Sequence, residues 1–150
     1  MSRARGRVRE VPAGRVLVDA SVAVPWFVAE PVTAQALRVL RGPLTLFAPD
    51  FMAIETANAL WKKSRRGDVP TADVVEALST LRTVGIQWLD TAPVIAAATR
   101  LALDIGHPVY DCLYLVLARA HDVPLATFDE RLRRAAGLSS VSVFALKGRA

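Results

Sequence analysis

The sequence predicts an α/β protein, a three-layer α/β/α sandwich around a mostly parallel central sheet. Three observations point there. Short continuous apolar runs such as Val16, Leu17, Val18 and Leu44, Thr45, Leu46, Phe47 read as strands buried on both faces. Longer stretches with apolar residues at helical spacing separate those runs. The two kinds of segment alternate along the chain, which calls for right-handed crossovers and places helices on both faces of the sheet.

In chain order, residues 1–14 carry alternating arginines with Gly6, Pro12 and Gly14 and no apolar period, so they read as a disordered basic arm ahead of a single domain over 15–150. Residues 16–18 form the first strand, with Asp19 at its C-terminal end. A helix is expected over 22–29, capped by Ser21, with Pro25 costing it one early hydrogen bond and Trp26 and Phe27 packing under the sheet. A second helix (33–41) and strand (44–47) follow, the strand breaking at Ala48 and Pro49. Residues 51–66 make a long helix capped by Asp50, stopped at Gly67 and carrying Glu55 about one turn in. Then come a helix over 71–84, a strand over 86–89 and an Ala-rich helix over 93–103.

Residues 110–132 are the densest stretch. Asp111 opens a helix that is apolar almost all round (Cys112, Leu113, Tyr114, Leu115, Val116, Leu117, Ala118) and is therefore buried. A turn at His121 and Asp122 leads to a core strand over 124–128, which ends on Asp129. A short basic helix (130–136) and a last strand (141–146) complete the chain.

The 150 residues suffice for one core without staples. The single cysteine, Cys112, excludes a disulfide scaffold and points to a reducing, cytoplasmic setting. No apolar run is long enough for a bilayer, and the basic start is not followed by a signal-peptide core. The formal net charge is +5, and all but Lys62, Lys63 and Lys147 of the 19 basic residues are arginine. Arginine suits a phosphate partner, although genomic base bias yields the same composition.

In such sheets ligands bind beyond the C-terminal strand ends. Asp19 and Asp129 lie there, and Asp111 and Glu55 are placed to face the same crevice. Singly, Asp129 and Asp111 are also explained as helix-terminus residues and Glu55 as a solvated one. Together they are expensive: two unit charges about 4 Å apart repel by roughly 4 kcal/mol at an effective dielectric of 20. Mg²⁺ or Mn²⁺ relieves this with all-oxygen ligands, and no His or Cys cluster suggests zinc. Such a site supports phosphodiester hydrolysis by metal-activated water. Ser21, Asn58 and Thr127 are accessory polar candidates, and Arg65, Arg66, Arg131, Arg133 and Arg134 are candidate contacts for a phosphate backbone that fit a solvated helix face slightly better. His107 and His121 fall in turns and need no catalytic role.

The segments VDASVAVPWF, PDFMAIETANALWKKSRRG and HPVYDCLYLVLARAHDVPLATFDERLRRAA, in this order, resemble the PIN-domain family, and within it the VapC toxins of bacterial and archaeal toxin–antitoxin pairs. The resemblance runs from about Arg15 to the C-terminus. It implies a Mg²⁺- or Mn²⁺-dependent endoribonuclease in which Asp19, Glu55, Asp111 and Asp129 fall on the family's acidic metal positions and Ser21, Asn58 and Thr127 on its accessory ones. It also implies a homodimer inhibited by a cognate VapB-type antitoxin. The arm before Arg15 departs from the family, whose toxins usually begin almost at the first strand.

Competing readings are a non-toxin PIN ribonuclease of RNA processing and a PIN fold acting mainly as a binding module. A haloacid-dehalogenase-type phosphatase would need a second Asp where Ser21 stands, and a dinucleotide-binding domain would need a Gly-rich turn after the first strand that the chain lacks.

Overall fold

The computed structural model describes residues 14–146. The expected arm therefore falls outside the described residues except for Gly14, which belongs to the first strand rather than to the arm.

β1 (Gly14–Val18) leads into α1 (Ala20–Ala23) and a single 3-10 turn over Val24–Trp26. α2 (Thr33–Arg41), β2 (Leu44–Pro49), α3 (Met52–Arg65), α4 (Thr71–Leu81) and β3 (Gln87–Leu89) follow. A 3-10 turn over Ala92–Val94 precedes α5 (Ile95–Ile105), and α6 (Val109–His121), β4 (Leu125–Ala126) and α7 (Glu130–Leu138) complete the order. All three strand pairings are parallel, in the order β3-β2-β1-β4.

That order explains the layers. The chain steps from β1 to β2 to β3 in one direction, then returns past both to place β4 on the far side of β1. Right-handed crossovers put α1 to α4 on one face and α5 and α6 on the other. Two small apolar clusters match the division: Val24, Leu60 and Ala77 pack together on the first side, Ala98, Cys112 and Leu113 on the second. Between them, Val16, Leu17 and Val18 are wholly buried, and each is worth roughly 1.5–3 kcal/mol of apolar transfer. The reversal of direction between β1 and β4 is a topological switch point, where the crevice of an open α/β sheet forms.

Five local expectations need correction. Ser21 does not cap a helix: the Asp19 carbonyl already accepts from the Val22 and Ala23 amides, so α1 starts two residues earlier and the Ser21 hydroxyl is released for other work. Asp50 is not the cap of α3, which begins after Phe51; its carboxylate accepts from the Phe51 amide at 2.8 Å and the Thr91 hydroxyl at 2.8 Å, tying the β2 turn to the end of β3. The last strand reduces to one bridge, Leu125 with Val143, because the ladder there is limited to two bonds around Leu125. β4 is likewise shorter than expected, and His121 is the last helical residue of α6 rather than part of a turn.

Among the described residues no single helix is long and apolar enough to cross a membrane. The apolar surface of α6 is spent on the core, where Cys112, Leu113, Tyr114, Leu115, Leu117 and Ala118 are buried.

Candidate metal centre

The switch point carries the first two acids. Asp19 leaves β1 and is 6% exposed, and both its oxygens are taken by hydroxyls. Ser21 Oγ donates to Oδ1 at 2.6 Å and Thr127 Oγ1 donates to Oδ2 at 2.9 Å. The same hydroxyls accept from the backbone just after β4: Phe128 N–H to Ser21 at 2.8 Å, Asp129 N–H to Thr127 at 3.0 Å. The two strand ends are thereby stitched across the crevice. Burial pushes the Asp19 carboxyl from the ordinary 3.8 up to about 7; the two hydroxyl donors oppose this, and the charges of Glu55 and Asp129 add to it.

Asp129 caps α7, as its simplest reading anticipated. Both bonds, from Arg131 N–H at 2.8 Å and Leu132 N–H at 3.4 Å, fall on Oδ1. Capping and a place in the acid cluster are compatible, because the charge of Asp129 reaches Asp19, Glu55 and Asp111 and raises all three.

The other two acids come from helices. Glu55, in the first turn of α3, accepts from the Tyr114 hydroxyl at 2.6 Å, and burial lifts its pKa, with the Asp111 and Asp129 charges adding to the rise. Asp111, in the first turn of α6, is 7% exposed. Burial raises its pKa too, against the pull of Arg131, whose Nε lies 3.2 Å from Oδ2. His107 Nδ1 is 3.9 Å from the same oxygen, so this histidine borders the cluster although its place in a turn suggested no role. Repulsion thus couples the four carboxylates, with Asp129 acting on the other three and Glu55 coupled to Asp19 and Asp111.

The accessory candidates divide. Ser21 and Thr127 bond directly to Asp19, whereas Asn58 is exposed on α3 and no hydrogen bond ties it to an acid of the described residues. Of the arginines, Arg131 sits on the cluster itself. Arg133 borders it, donating from Nη1 to the Thr127 carbonyl at 3.4 Å. Arg134 is exposed on α7. Arg65 and Arg66 lie apart, lining a hollow of about 290 Å³ with Trp61 and Lys62.

The donor set suits a hard cation. Asp111 Oδ2 is buried and has no aligned hydrogen bond despite the nearby guanidinium, an arrangement that leaves its lone pairs available. Among the described residues no three acidic, His or Cys side chains close into a ready cage. Each carboxylate is instead turned to a local partner: hydroxyls for Asp19, Tyr114 for Glu55, Arg131 for Asp111, the helix start for Asp129. That is the expected resting arrangement of crowded like charges. Sequence reasoning missed Tyr114, read as core alone; the available signal was a hydroxyl on an all-apolar helix, since a buried phenol normally finds a partner.

The chain matches the PIN domain over residues 16–138. It is 33% identical to ribonuclease VapC3 of Pyrobaculum aerophilum over 120 residues, 79% of this chain and 92% of that protein. With ribonuclease VapC3 of Mycobacterium tuberculosis the identity is 31% over 124 residues, 83% and 89% of the two chains. The crystal structure of PAE2754 from Pyrobaculum aerophilum superposes with a TM-score of 0.61 at 25% identity, covering 82% of this chain and 85% of that one. Mycobacterium tuberculosis VapC20, described as a sarcin-ricin loop cleaving toxin, gives 0.66 at 15% identity over 80% and 94%, a likeness of fold.

Proposed function

The chain belongs to the PIN-domain family, and from that premise we propose that it is a divalent-metal-dependent endoribonuclease, the toxin member of a toxin–antitoxin pair. The observation that carries this reading is the mutual repulsion of four acids, from the end of β1, from α3, from α6 and from the segment after β4, around the switch point between β1 and β4.

Asp19, Asp111 and Asp129 are the principal ligands for Mg²⁺ or Mn²⁺, with Glu55 completing the set. When bound, such a cation supplies water activation and charge neutralisation at a phosphodiester. The chain's own residues do the rest. Ser21 and Thr127 fix the Asp19 carboxylate in one orientation. Asp129 is fixed by the α7 amides. Arg131 and Arg133, at the rim, receive the RNA backbone, and Arg131 must release Asp111 when a cation takes its place. Arg134, and Arg65 and Arg66 beside Trp61, extend the basic surface away from the acids.

The partners follow from the same reading: an RNA substrate and a cognate VapB-type antitoxin whose segment lies across the crevice. The Arg131–Asp111 pair is in keeping with this: a guanidinium of the chain's own lies 3.2 Å from one of the acids. A homodimer would cover exposed apolar side chains such as Ile54, Trp61 and Leu103. Residues 15–150 form the single domain of this proposal, with the arginine-rich 1–14 ahead of it, and the free, buried Cys112 is in keeping with the cytoplasm.

The test is cleavage of RNA by the purified protein in Mg²⁺, in EDTA, and after Mg²⁺ is restored, beside Asp19→Asn and Asp111→Asn. Cleavage is expected to vanish in EDTA, to return with Mg²⁺, and to fall by about 100-fold or more in both variants. Undiminished cleavage in EDTA, or by both variants, sinks the proposal.

A further inference from the structure

Tyr114 occupies the centre of the arrangement without being one of its acids. It stands on α6 one turn beyond Asp111 and is 3% exposed. Its ring packs edge-on against Phe51, the residue just ahead of α3, with centroids 5.3 Å apart. Its hydroxyl donates to Glu55 Oε1 at 2.6 Å and also faces the backbone of Ala20, next to Asp19. One side chain, borne by the helix of Asp111, therefore bonds to Glu55 and lies beside the segment that carries Asp19.

Glu55 needs such a partner. Its side chain has three rotatable bonds, the other carboxylates repel it, and the open direction is toward solvent. A short O–H···O⁻ bond is among the stronger kinds, and here it engages only one of the two carboxylate oxygens. Packing alone would be served equally well by phenylalanine, which fills the same space without a hydroxyl to satisfy.

We propose that Tyr114 is a positioning residue: its hydroxyl holds Glu55 inward, so that the acid's second oxygen serves the divalent cation. This rests on the metal-dependent reading of the crevice. The discriminating variant is Tyr114→Phe, measured with Glu55→Gln and the double variant, by calorimetric titration with Mn²⁺ alone and by RNA cleavage. Tyr114→Phe is expected to weaken Mn²⁺ binding and lower kcat by about tenfold each, with KM for RNA unchanged. In the Glu55→Gln background the same change is expected to add nothing, because the hydroxyl acts through that carboxylate.

Wild-type Mn²⁺ affinity and kcat in Tyr114→Phe overturn the inference while an impaired Glu55→Gln leaves the metal site standing. Losses that simply add in the double variant overturn it as well. If Glu55→Gln itself binds Mn²⁺ and cleaves like the wild type, Glu55 has no place in the metal site and the inference falls with that assignment.

Discussion

Asp19 and Asp111 are nearly equally buried, at 6% and 7% exposure, yet they are held in opposite ways. Asp19 is surrounded by neutral donors: two hydroxyls, each anchored in turn by a backbone amide. Asp111 is countered by a charge, the half-exposed guanidinium of Arg131. The two hydroxyls orient the carboxylate but offset only part of its loss of hydration, so the Asp19 carboxyl rises to about 7. A flexible cation lessens the rise at Asp111 without fixing its geometry, and one Asp111 oxygen still lacks an aligned bond. The strand half of the crevice is therefore the rigid half and the α6 half the exchangeable one.

The largest expected consequence concerns Asp19 and pH. The folded protein retains the Asp19 proton to about pH 7, whereas an unfolded chain gives it up near the ordinary 3.8. Without metal, the unfolded state then binds fewer protons across that interval, so stability falls as pH rises from about 4 to about 7 and levels off above it. The loss is on the order of 4 kcal/mol if Asp19 acts alone. Asp19→Asn removes this component, and urea denaturation in EDTA at several pH values should show a shallower decline than the wild type. An unchanged slope would remove Asp19 as its source.

Ser21→Ala probes the rigidity of the same half. It deletes a donor to Asp19 and leaves the Phe128 amide without its acceptor, which should lower stability by about 1–3 kcal/mol near neutral pH. A melting temperature equal to the wild type would mean that the stitch between the strand ends is not under load.

The smallest effect belongs to Arg131→Gln. On the proposed metal reading Arg131 and a cation compete for Asp111, so its removal should tighten Mn²⁺ binding by up to about fivefold, the usual reach of a half-exposed ion pair. RNA binding should weaken at the same time. Tighter metal binding with weaker RNA binding separates exchange from simple damage to the crevice, and weaker metal binding would reverse the contrast between the two halves.

The fold and the four acids were legible because each left a local mark. Val16 to Val18 and Leu44 to Phe47 are too apolar for a half-exposed strand, α2 has the bounds its period gave, and Gly67, Gly85 and Gly106 all take the left-handed conformation expected where a helix has ended. Ser21 was misread for a specific reason: Ser before an apolar run is a cap signal, but the Asp19 carbonyl had already started the helix. The last strand shrank to a bridge since an apolar run near 141–146 shows burial, not how many ladder bonds form. Tyr114 and Arg131 were hidden more deeply. Their roles depend on partners 59 and 20 positions away, and only the assembled sheet brings those together.

The register of the sheet also bears on the making of the chain. β1, which delivers Asp19, pairs with β4, and the Thr127 hydroxyl that orients that acid lies 108 positions further along. Contacts of such long range close late and slowly. A ribosome that has translated only as far as α5 has produced a chain with Asp19 and Glu55 but with neither Asp111 nor Asp129. On the metal-centre reading proposed above, such an unfinished chain lacks half of the acid set, which only the final quarter of synthesis supplies.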